Sequence, residues 1–151
     1  FMDAWAVNLD NGATTEYRSY PFETVANIGG RYFGCTGDTL HELTGNRDAG
    51  AHIRAVIDLG ERALAGGRKS TVGDVYLGMA ADGHMLLRVI AEGQAYVYPT
   101  LDYSEHMQQQ RVKLGKGLRP NYVTLQLSND QGADFAVDSL EFMVHELTRR
   151  T

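Results

Sequence analysis

The sequence predicts an all-β fold: an antiparallel β-sandwich, jelly-roll-like, with an N-terminal β-meander and little helix. About ten short segments alternate apolar and polar residues, the period of two that marks a half-buried strand. Turn signals separate these segments at spacings of about 8–12 residues, which is typical of sandwiches and barrels. The 17 glycines, against only 3 prolines, supply the tight turns that such a fold needs.

The length of 151 residues suits one domain, or one domain with a small appendage. We predict a β-meander over residues 1–46, packed on or part of the same domain, and a β-sandwich over residues 47–151. The sequence begins with Phe1-Met2 rather than with an initiator methionine, so we expect it to be a piece of a longer chain.

The composition argues against several classes of protein. The formal charge of −5 disfavours a general nucleic-acid binder. The single cysteine, Cys35, excludes an internal disulfide and a multi-cysteine zinc site, and we expect it to be a small buried residue. The longest apolar runs are only a few residues long, so we expect no membrane insertion.

The first third of the chain has the pattern of a meander of short strands. Asn11-Gly12 is the strongest hairpin signal, because both central residues of a type I′ turn take positive φ. Gly29-Gly30 and Gly37-Asp38 mark two further turns. The predicted strands are Ala4–Asn8, Ala13–Tyr20, Phe22–Ile28, Arg31–Cys35 and Thr39–Leu43.

Alternation continues through the middle of the chain. Apolar residues on both faces of His84–Ala91 indicate a central strand covered on both sides, and Asp82-Gly83 before it indicates a hairpin turn. Gly60–Ser70 fits either a helical turn or a loop, and Thr100–Gln110 fits either a helix or irregular chain. The predicted strands are His52–Leu59, Thr71–Met79, His84–Ala91 and Gln94–Pro99.

The last third holds the longest strand-like runs. The predicted strands are Arg111–Leu114, Tyr122–Leu127 and Phe135–Leu147. The apolar residues of the last run divide between two faces, Phe135 and Val137 on one and Leu140, Phe142 and Val144 on the other. Because one extra residue reverses the faces of a strand, we predict a β-bulge or a corner at Asp138-Ser139.

No pattern in the sequence indicates a catalytic or metal site. The histidines form no close pair and flank no nucleophile signature; they are His41, His52, His84, His106 and His145. A hydrolase acting on the cell envelope would need two carboxylates in one cleft, which spacing does not place. Asp38, Asn46 and Asp48 carry oxygen ligands that suit calcium, although such loop residues mostly form Asx turns. We therefore predict no catalytic residue, no cofactor, no metal and no enzymatic activity.

Two groups of side chains are candidate binding surfaces. Four cations form a local basic patch, which suits a protein interface, phosphate or an acidic glycan: Arg111, Lys113, Lys116 and Arg119. Several tyrosines combine an apolar ring with a polar tip, which suits glycan contact as well as a core edge or a subunit contact; they are Tyr96, Tyr98, Tyr103 and Tyr122.

The order of motifs resembles a family of tailed-bacteriophage virion proteins, usually encoded among tail genes. The most specific likeness is RVKLGKGLR at residues 111–119, followed by an aromatic strand and by NDQGADFAVDSLE at residues 129–141. Further matching stretches are AWAVNLDNGATTEY (4–17), YPFETVANIGGRYFG (20–34), DTLHELTGNRDAGAHIRAVI (38–57) and KSTVGDVYLGMAADGHMLLRVI (69–90). Separately, ADFAVDSLEF resembles the last strand of galactose-binding-like jelly rolls.

The resemblance implies a structural component of a phage tail tip, baseplate or tail fibre, made in the host cytoplasm and located in the virion. Its partners would be copies of itself and other tail proteins, docked through exposed strand edges and the basic patch. The alternative is a carbohydrate- or receptor-binding module for host attachment, in which the tyrosines and the loop Asn46–Ala51 contact surface sugars. Neither interpretation includes a nucleic-acid partner.

Overall fold

The computed structural model describes residues 3–68 and 70–146, and it shows an all-β protein with antiparallel sheets, which confirms the predicted fold class. The chain divides into two compact units between Gly45 and Asn46. The only helix among the described residues is a three-residue 3-10 helix, Ala65–Gly67. In the described ranges, no helix is long and apolar enough to cross a membrane.

The N-terminal unit contains a two-stranded hairpin and a three-stranded meander. Its strands are β1 (Ala4–Val7), β2 (Thr14–Tyr17), β3 (Thr24–Ile28), β4 (Arg31–Thr36) and β5 (Thr39–Glu42). Gly29 and Gly30 both take positive φ, so they form a type I′ turn between β3 and β4. Cys35 is half-buried in β4 rather than buried as predicted.

The predicted type I′ turn at Asn11-Gly12 is wrong, although the hairpin itself is confirmed. The loop includes Leu9–Gly12, and of these residues only Gly12 takes positive φ. Two local side-chain bonds stabilise the longer loop: Asn8 Oδ1 accepts from the Asp10 N–H and Asn11 Oδ1 accepts from the Ala13 N–H, both at 2.9 Å. Such Asx turns compete with the tight two-residue turn.

The second unit is a β-sandwich with a four-stranded sheet, in the order β11-β10-β13-β8, and a three-stranded sheet, in the order β12-β9-β14. A short separate hairpin, β6–β7, precedes them. The strands are β6 (Arg47–Asp48), β7 (Ala51–His52), β8 (Val56–Ala63), β9 (Ser70–Ala81), β10 (Met85–Ala91), β11 (Gln94–Pro99), β12 (Gln108–Val112), β13 (Tyr122–Asn129) and β14 (Phe135–Glu146).

The core lies between the facing surfaces of these two sheets. Alternation along β9, β10 and β13 turns every second side chain inward over most of each strand, as a two-layer sandwich requires. The fully buried side chains include Val75, Leu77, Met79, Met85, Leu87, Leu125 and Leu127.

The predicted hairpin at Asp82-Gly83 is wrong. β9 pairs with β12 and β14, whereas β10 pairs with β11 and β13, so residues 82–84 carry the chain from one sheet to the other. The Gly83 conformation is not left-handed, as the hairpin turn would require. A hairpin and a connection between two sheets have the same sequence pattern, in which apolar and polar residues alternate on both sides of a turn signal. Packing of the core decides which of the two forms.

Thr100 marks a second crossing between the sheets. Its N–H donates to Met85 O at 2.9 Å, beside the four-stranded sheet, and it also bridges Val112 of β12. Of the two interpretations of Thr100–Gln110, the irregular one holds as far as Met107. Strand β12 then begins at Gln108, ahead of its predicted start at Arg111.

The predicted β-bulge at Asp138-Ser139 is confirmed. Val137 lies opposite Met79 and Leu140 lies opposite Leu77, so β14 contains one residue more than β9 across this step. Ser139 Oγ occupies the space that a side chain at Gly78 would fill. Both halves of β14 therefore turn their apolar residues toward the core; the predicted end of the strand at Leu147 lies outside the described residues.

The predicted strand His52–Leu59 is wrong in its bounds. Strand β7 ends at His52, and β8 begins only at Val56 and continues to Ala63. A second bulge permits this continuation, since Gly60 takes positive φ opposite the register shift at Leu125/Gln126.

The central position of β10 is confirmed, because it lies between β11 and β13. Its second face is covered only in part: Leu86, Arg88 and Ile90 are half-buried. Arg88 donates to Gln126 Oε1 at 3.1 Å on this face.

Candidate functional site

The basic patch of the sequence lies on exposed positions of β12 and the loop that follows it. Arg111 and Lys113 are exposed, and the residues that alternate with them, Val112 and Leu114, are buried. Arg111 lies 3.4 Å from a carboxylate oxygen of Asp74, so part of its charge is neutralised within the sheet. The other two members of the patch, Lys116 and Arg119, are exposed in the loop between β12 and β13.

Of the four tyrosines considered as glycan contacts, Tyr122 is exposed at the start of β13, and the other three do not form a single surface. Tyr96 and Tyr98 lie in β11 opposite Val89 and Leu87, on the core side of the edge strand, and Tyr98 packs against the core. Tyr103 lies beyond the crossing at Thr100 and lines a separate cleft. Of these three side chains, Tyr103 is the one that belongs to that cleft.

This concave site, which we call the polar cleft, has a volume of about 330 Å³. It lies at the end of the sandwich where residues 82–84 and 130–133 pass from one sheet to the other. Its lining is mostly polar, and consists of Asn46, Asp82, Gly83, His84, Tyr103, Asp130, Gln131 and Ala133.

A type I′ turn forms one wall of the polar cleft. The Ala133 N–H donates to Asp130 O at 3.0 Å, and the two central residues, Gln131 and Gly132, have φ of 49° and 75°. A Cβ on Gly132 would lie 2.8 Å from Asn46 O, so this position needs glycine for space as well as for conformation.

Hydrogen bonds join this turn to the arch at residues 82–84. The Asp130 N–H donates to His84 O at 3.0 Å. The Asp134 N–H donates to Asp82 Oδ1 at 2.8 Å, and the Asp82 N–H donates to Asp134 O at 3.2 Å. The two inter-sheet connections therefore support each other and fix the shape of the polar cleft.

An imidazole and a phenol form the aromatic part of the polar cleft. His84 Nδ1 lies 2.9 Å from Thr100 O, a distance at which a protonated Nδ1 donates to the carbonyl. Tyr103 packs edge-on against the imidazole, with ring centroids 4.8 Å apart and an interplanar angle of 81°. The Tyr103 side chain remains 43% exposed, so the ring is accessible from solvent.

Two apolar hollows lie elsewhere, one in each unit. The first, which we call the edge groove, lies between the edge strands β8 and β14 and has a volume of about 420 Å³; it is lined by Leu59, Arg62, Ala63, Leu64, Ala65, Leu125, Leu140, Phe142 and Val144. The second, which we call the N-terminal hollow, has a volume of about 470 Å³; it is lined by Ala4, Trp5, Ala6, Tyr17, Tyr20, Val25, Tyr32 and Leu43.

Hydrogen bonding lowers the pKa of one carboxyl group in each unit. In the N-terminal unit, hydrogen bonding to Arg31 lowers the pKa of Glu42, and the same bond raises the pKa of Arg31. In the sandwich, the hydrogen bond from Gln126 Nε2, at 3.0 Å, lowers the pKa of Asp58, and the bond from the Gly60 N–H adds to this. Neither carboxylate lines the polar cleft.

The three residues considered for calcium divide between the two units. Asp38 lies in the β4–β5 turn, and Asn46 and Asp48 belong to the second unit. Across residues 3–68 and 70–146, no three His, Cys, Asp or Glu side chains are grouped as a metal site would require.

The polar cleft was only partly indicated by the sequence. The sequence predicts sugar contacts at Tyr103 and in the loop Asn46–Ala51, and the structure places Tyr103 and Asn46 in the same lining. Asp82, His84 and Asp130 were missed as site residues, because they come from two connections that are far apart in the chain. No local spacing signal could join them.

Comparison with known proteins yields no match: no protein-family model, curated protein or solved structure is significantly similar to the chain.

Proposed function

We propose that this chain is a structural component of a phage tail tip, baseplate or tail fibre, and that it acts by protein–protein assembly. The observation that carries the assembly role is the lack of a core in the N-terminal unit. Of residues 3–45, Gly34 alone is buried. Large apolar side chains are exposed instead, among them Leu9 at 95%, Trp5 at 66% and Ile28 at 61%.

The physical argument concerns the free energy of folding. Ordering a backbone costs roughly 1–2 kcal/mol per residue, and burial of apolar surface is the main compensation. A meander that buries almost no side chain lacks this compensation by itself. A partner that covers the N-terminal hollow would supply the missing burial, as an obligate assembly contact does.

The sandwich offers a second assembly surface. Among the described strands, β8 and β14 each pair with a neighbour on one side only, so their outer backbone groups are open to another strand. The edge groove between them adds apolar side chains, including Leu140 and Phe142. The basic patch remains a proposed interface on the same sandwich.

The phage assignment rests on the sequence likeness, above all on RVKLGKGLR and NDQGADFAVDSLE. The all-β sandwich is compatible with it. The proposed partners are copies of the chain and other tail proteins, and the proposed location is the virion.

Analytical ultracentrifugation of the full chain tests the assembly role. We expect a defined oligomer, or a complex with a co-expressed tail protein, and we expect Trp5→Ser with Leu9→Ser to weaken it. The matched control is a polar surface change in the sandwich, Gln109→Ser, at an exposed position of β12. A strict monomer that binds no tail protein would contradict the proposal.

Immunogold labelling of virions tests the location. An antibody against residues 46–146 should label the tail and leave the capsid unlabelled. Labelling that is absent from intact virions would contradict the virion assignment and leave the assembly role to be judged by the centrifugation result.

A second candidate function is a carbohydrate- or receptor-binding module of the adsorption apparatus. The observation that favours it is the polar cleft, which joins an exposed tyrosine to carboxylate and amide side chains. Screening the full chain on a glycan array tests this function, and a clean negative would remove it.

A further inference from the structure

The polar cleft has the chemistry of a site for a hydroxyl-rich ligand. Carboxylates and amides are planar groups that exchange paired hydrogen bonds with neighbouring hydroxyls, and both types line the cleft: Asp82, Asp130, Asn46 and Gln131. Tyr103 adds an exposed ring that can cover the C–H face of a sugar. We propose that the polar cleft binds a neutral saccharide, an inference that rests on the second of the two functions above.

The size of the cleft fits this class of ligand. Its volume of about 330 Å³ is near the lower end of the range for small-ligand sites, roughly 300–1,000 Å³. Such a volume suits one or two sugar rings, with the rest of an oligosaccharide in solvent.

The walls of the cleft are held mainly by bonds between backbone atoms, together with one carboxylate oxygen of Asp82 that accepts from the Asp134 N–H. Asp130 fixes its turn through backbone atoms, since its N–H donates to His84 O and its carbonyl accepts from the Ala133 N–H. His84 is oriented through Nδ1 and Thr100 O, at 2.9 Å, and it packs against Tyr103. A site whose backbone walls are fixed before binding loses less conformational entropy when the ligand enters.

Gln131 presents its amide from the first central position of the type I′ turn. Gln131 adopts a left-handed conformation with φ of 49°, which is unfavourable for most residue types other than glycine and asparagine. The turn keeps an amide at this strained position in the cleft, where it can serve a ligand.

The charge of the cleft selects among saccharides. Asp82 and Asp130 both line it, and no lysine or arginine of the described residues belongs to the lining. Two carboxylates repel anionic sugars, so sialylated or phosphorylated glycans are disfavoured and neutral ones are accepted.

The test is binding of the full chain to an array of neutral, sialylated and phosphorylated oligosaccharides, followed by titration of the best ligand. We expect binding to neutral glycans. Tyr103→Ala and Asp130→Asn should each weaken the affinity by about tenfold, which corresponds to about 1.4 kcal/mol. Asp130→Asn keeps the shape of the side chain, so it tests the ligand contact with little effect on folding.

The matched control is Tyr96→Ala, which removes a tyrosine of similar exposure, 37% against 43%, from outside the cleft. It should leave the affinity unchanged. Neutral-glycan binding that survives both cleft variants, or that is lost in Tyr96→Ala alone, overturns the assignment of the site and leaves the carbohydrate-binding function standing. Preference for anionic glycans also overturns the inference, and absence of binding to every glycan overturns both.

Discussion

At the scale of single residues, the Asn129 side chain joins its own strand, β13, to residues 53–55 and to Ala133. None of these partner residues belongs to a described strand. Its Oδ1 accepts from the Ala55 N–H at 2.8 Å, and its Nδ2 donates to Ile53 O and Ala133 O at 3.1 and 3.0 Å. The side chain therefore replaces the backbone hydrogen bonds of a strand pair over residues 53–55, between the end of β7 and the start of β8. It is 8% exposed, so the bonds are shielded from water.

Asn129→Ala should lower the free energy of unfolding by about 3 kcal/mol, because it leaves three backbone groups, in residues 53–55 and at Ala133, without their partner. Urea unfolding monitored by circular dichroism measures the change. Gln109→Ala, at an exposed position of β12, is the control and should change stability by about 0.5 kcal/mol or less. Equal effects of the two substitutions would show that the Asn129 bonds contribute nothing specific.

Asp58 gives the sandwich a dependence on pH. Its pKa is lowered from the ordinary 3.8, first by the bond from Gln126 and then by that from Gly60. A carboxyl with a lowered folded pKa stabilises the fold above its unfolded pKa, and this contribution disappears as the pH falls through the folded value. The relevant window therefore lies below about pH 4.

In urea unfolding at pH values of about 5, 4 and 3, the stability difference between the wild-type chain and Asp58→Asn should shrink as the pH falls. Gln126→Ala removes the donor and should reduce the same pH dependence. A difference between wild type and Asp58→Asn that stays constant across this range would contradict this assignment.

At the scale of elements, the bulge in β14 decides which face the second half of this strand presents to the core. The period of two made this bulge predictable, since Val137 and Leu140 cannot share a face without an extra residue between them. The partner of β9 was not predictable in the same way. Asp82-Gly83 has the composition of a hairpin turn, but the side chains of β9 and β10 fill opposite walls of one core, so the strands belong to different sheets.

Deletion of Asp138 should destabilise the sandwich by about 3–5 kcal/mol, because it turns Leu140, Phe142 and Val144 away from the core. Asp138→Ala keeps the chain length and is the matched control, with an expected loss below about 1 kcal/mol. Chemical denaturation compares the two variants. Similar losses in both would mean that the residue, rather than the register, is what matters.

At the scale of the whole molecule, the apolar burial is concentrated in one unit. Every buried hydrophobic side chain among the described residues belongs to the sandwich, whereas the N-terminal unit exposes most of its own. The composition of the whole sequence does not show this difference between the units, and apolar and polar residues alternate in a similar way in both. This is why the pattern predicted strands in each unit but did not show which of them enclose a core.

A fragment of residues 46–151 should therefore unfold cooperatively on heating. Its circular dichroism spectrum should show β-sheet, with an intensity per residue close to that of the full chain. A peptide of residues 1–45 should show no cooperative transition by circular dichroism. Cooperative melting of the isolated N-terminal peptide at low concentration would show that it folds without a partner, and would weaken the proposed assembly role.

The connections between the two sheets at residues 82–84 and 130–133 also have a consequence for the order of events during folding. Among the described strands of the two sheets, β10 and β11 form the only hairpin between neighbours in the chain, whereas β9 ends at Ala81 and its partner β14 begins only at Phe135. Proteins dominated by such non-local pairings fold on the order of milliseconds to seconds. The four-stranded sheet is complete only when β13 has been synthesised, and the three-stranded sheet only when β14 has been. During translation the edges of the earlier strands therefore stay exposed until these two strands emerge.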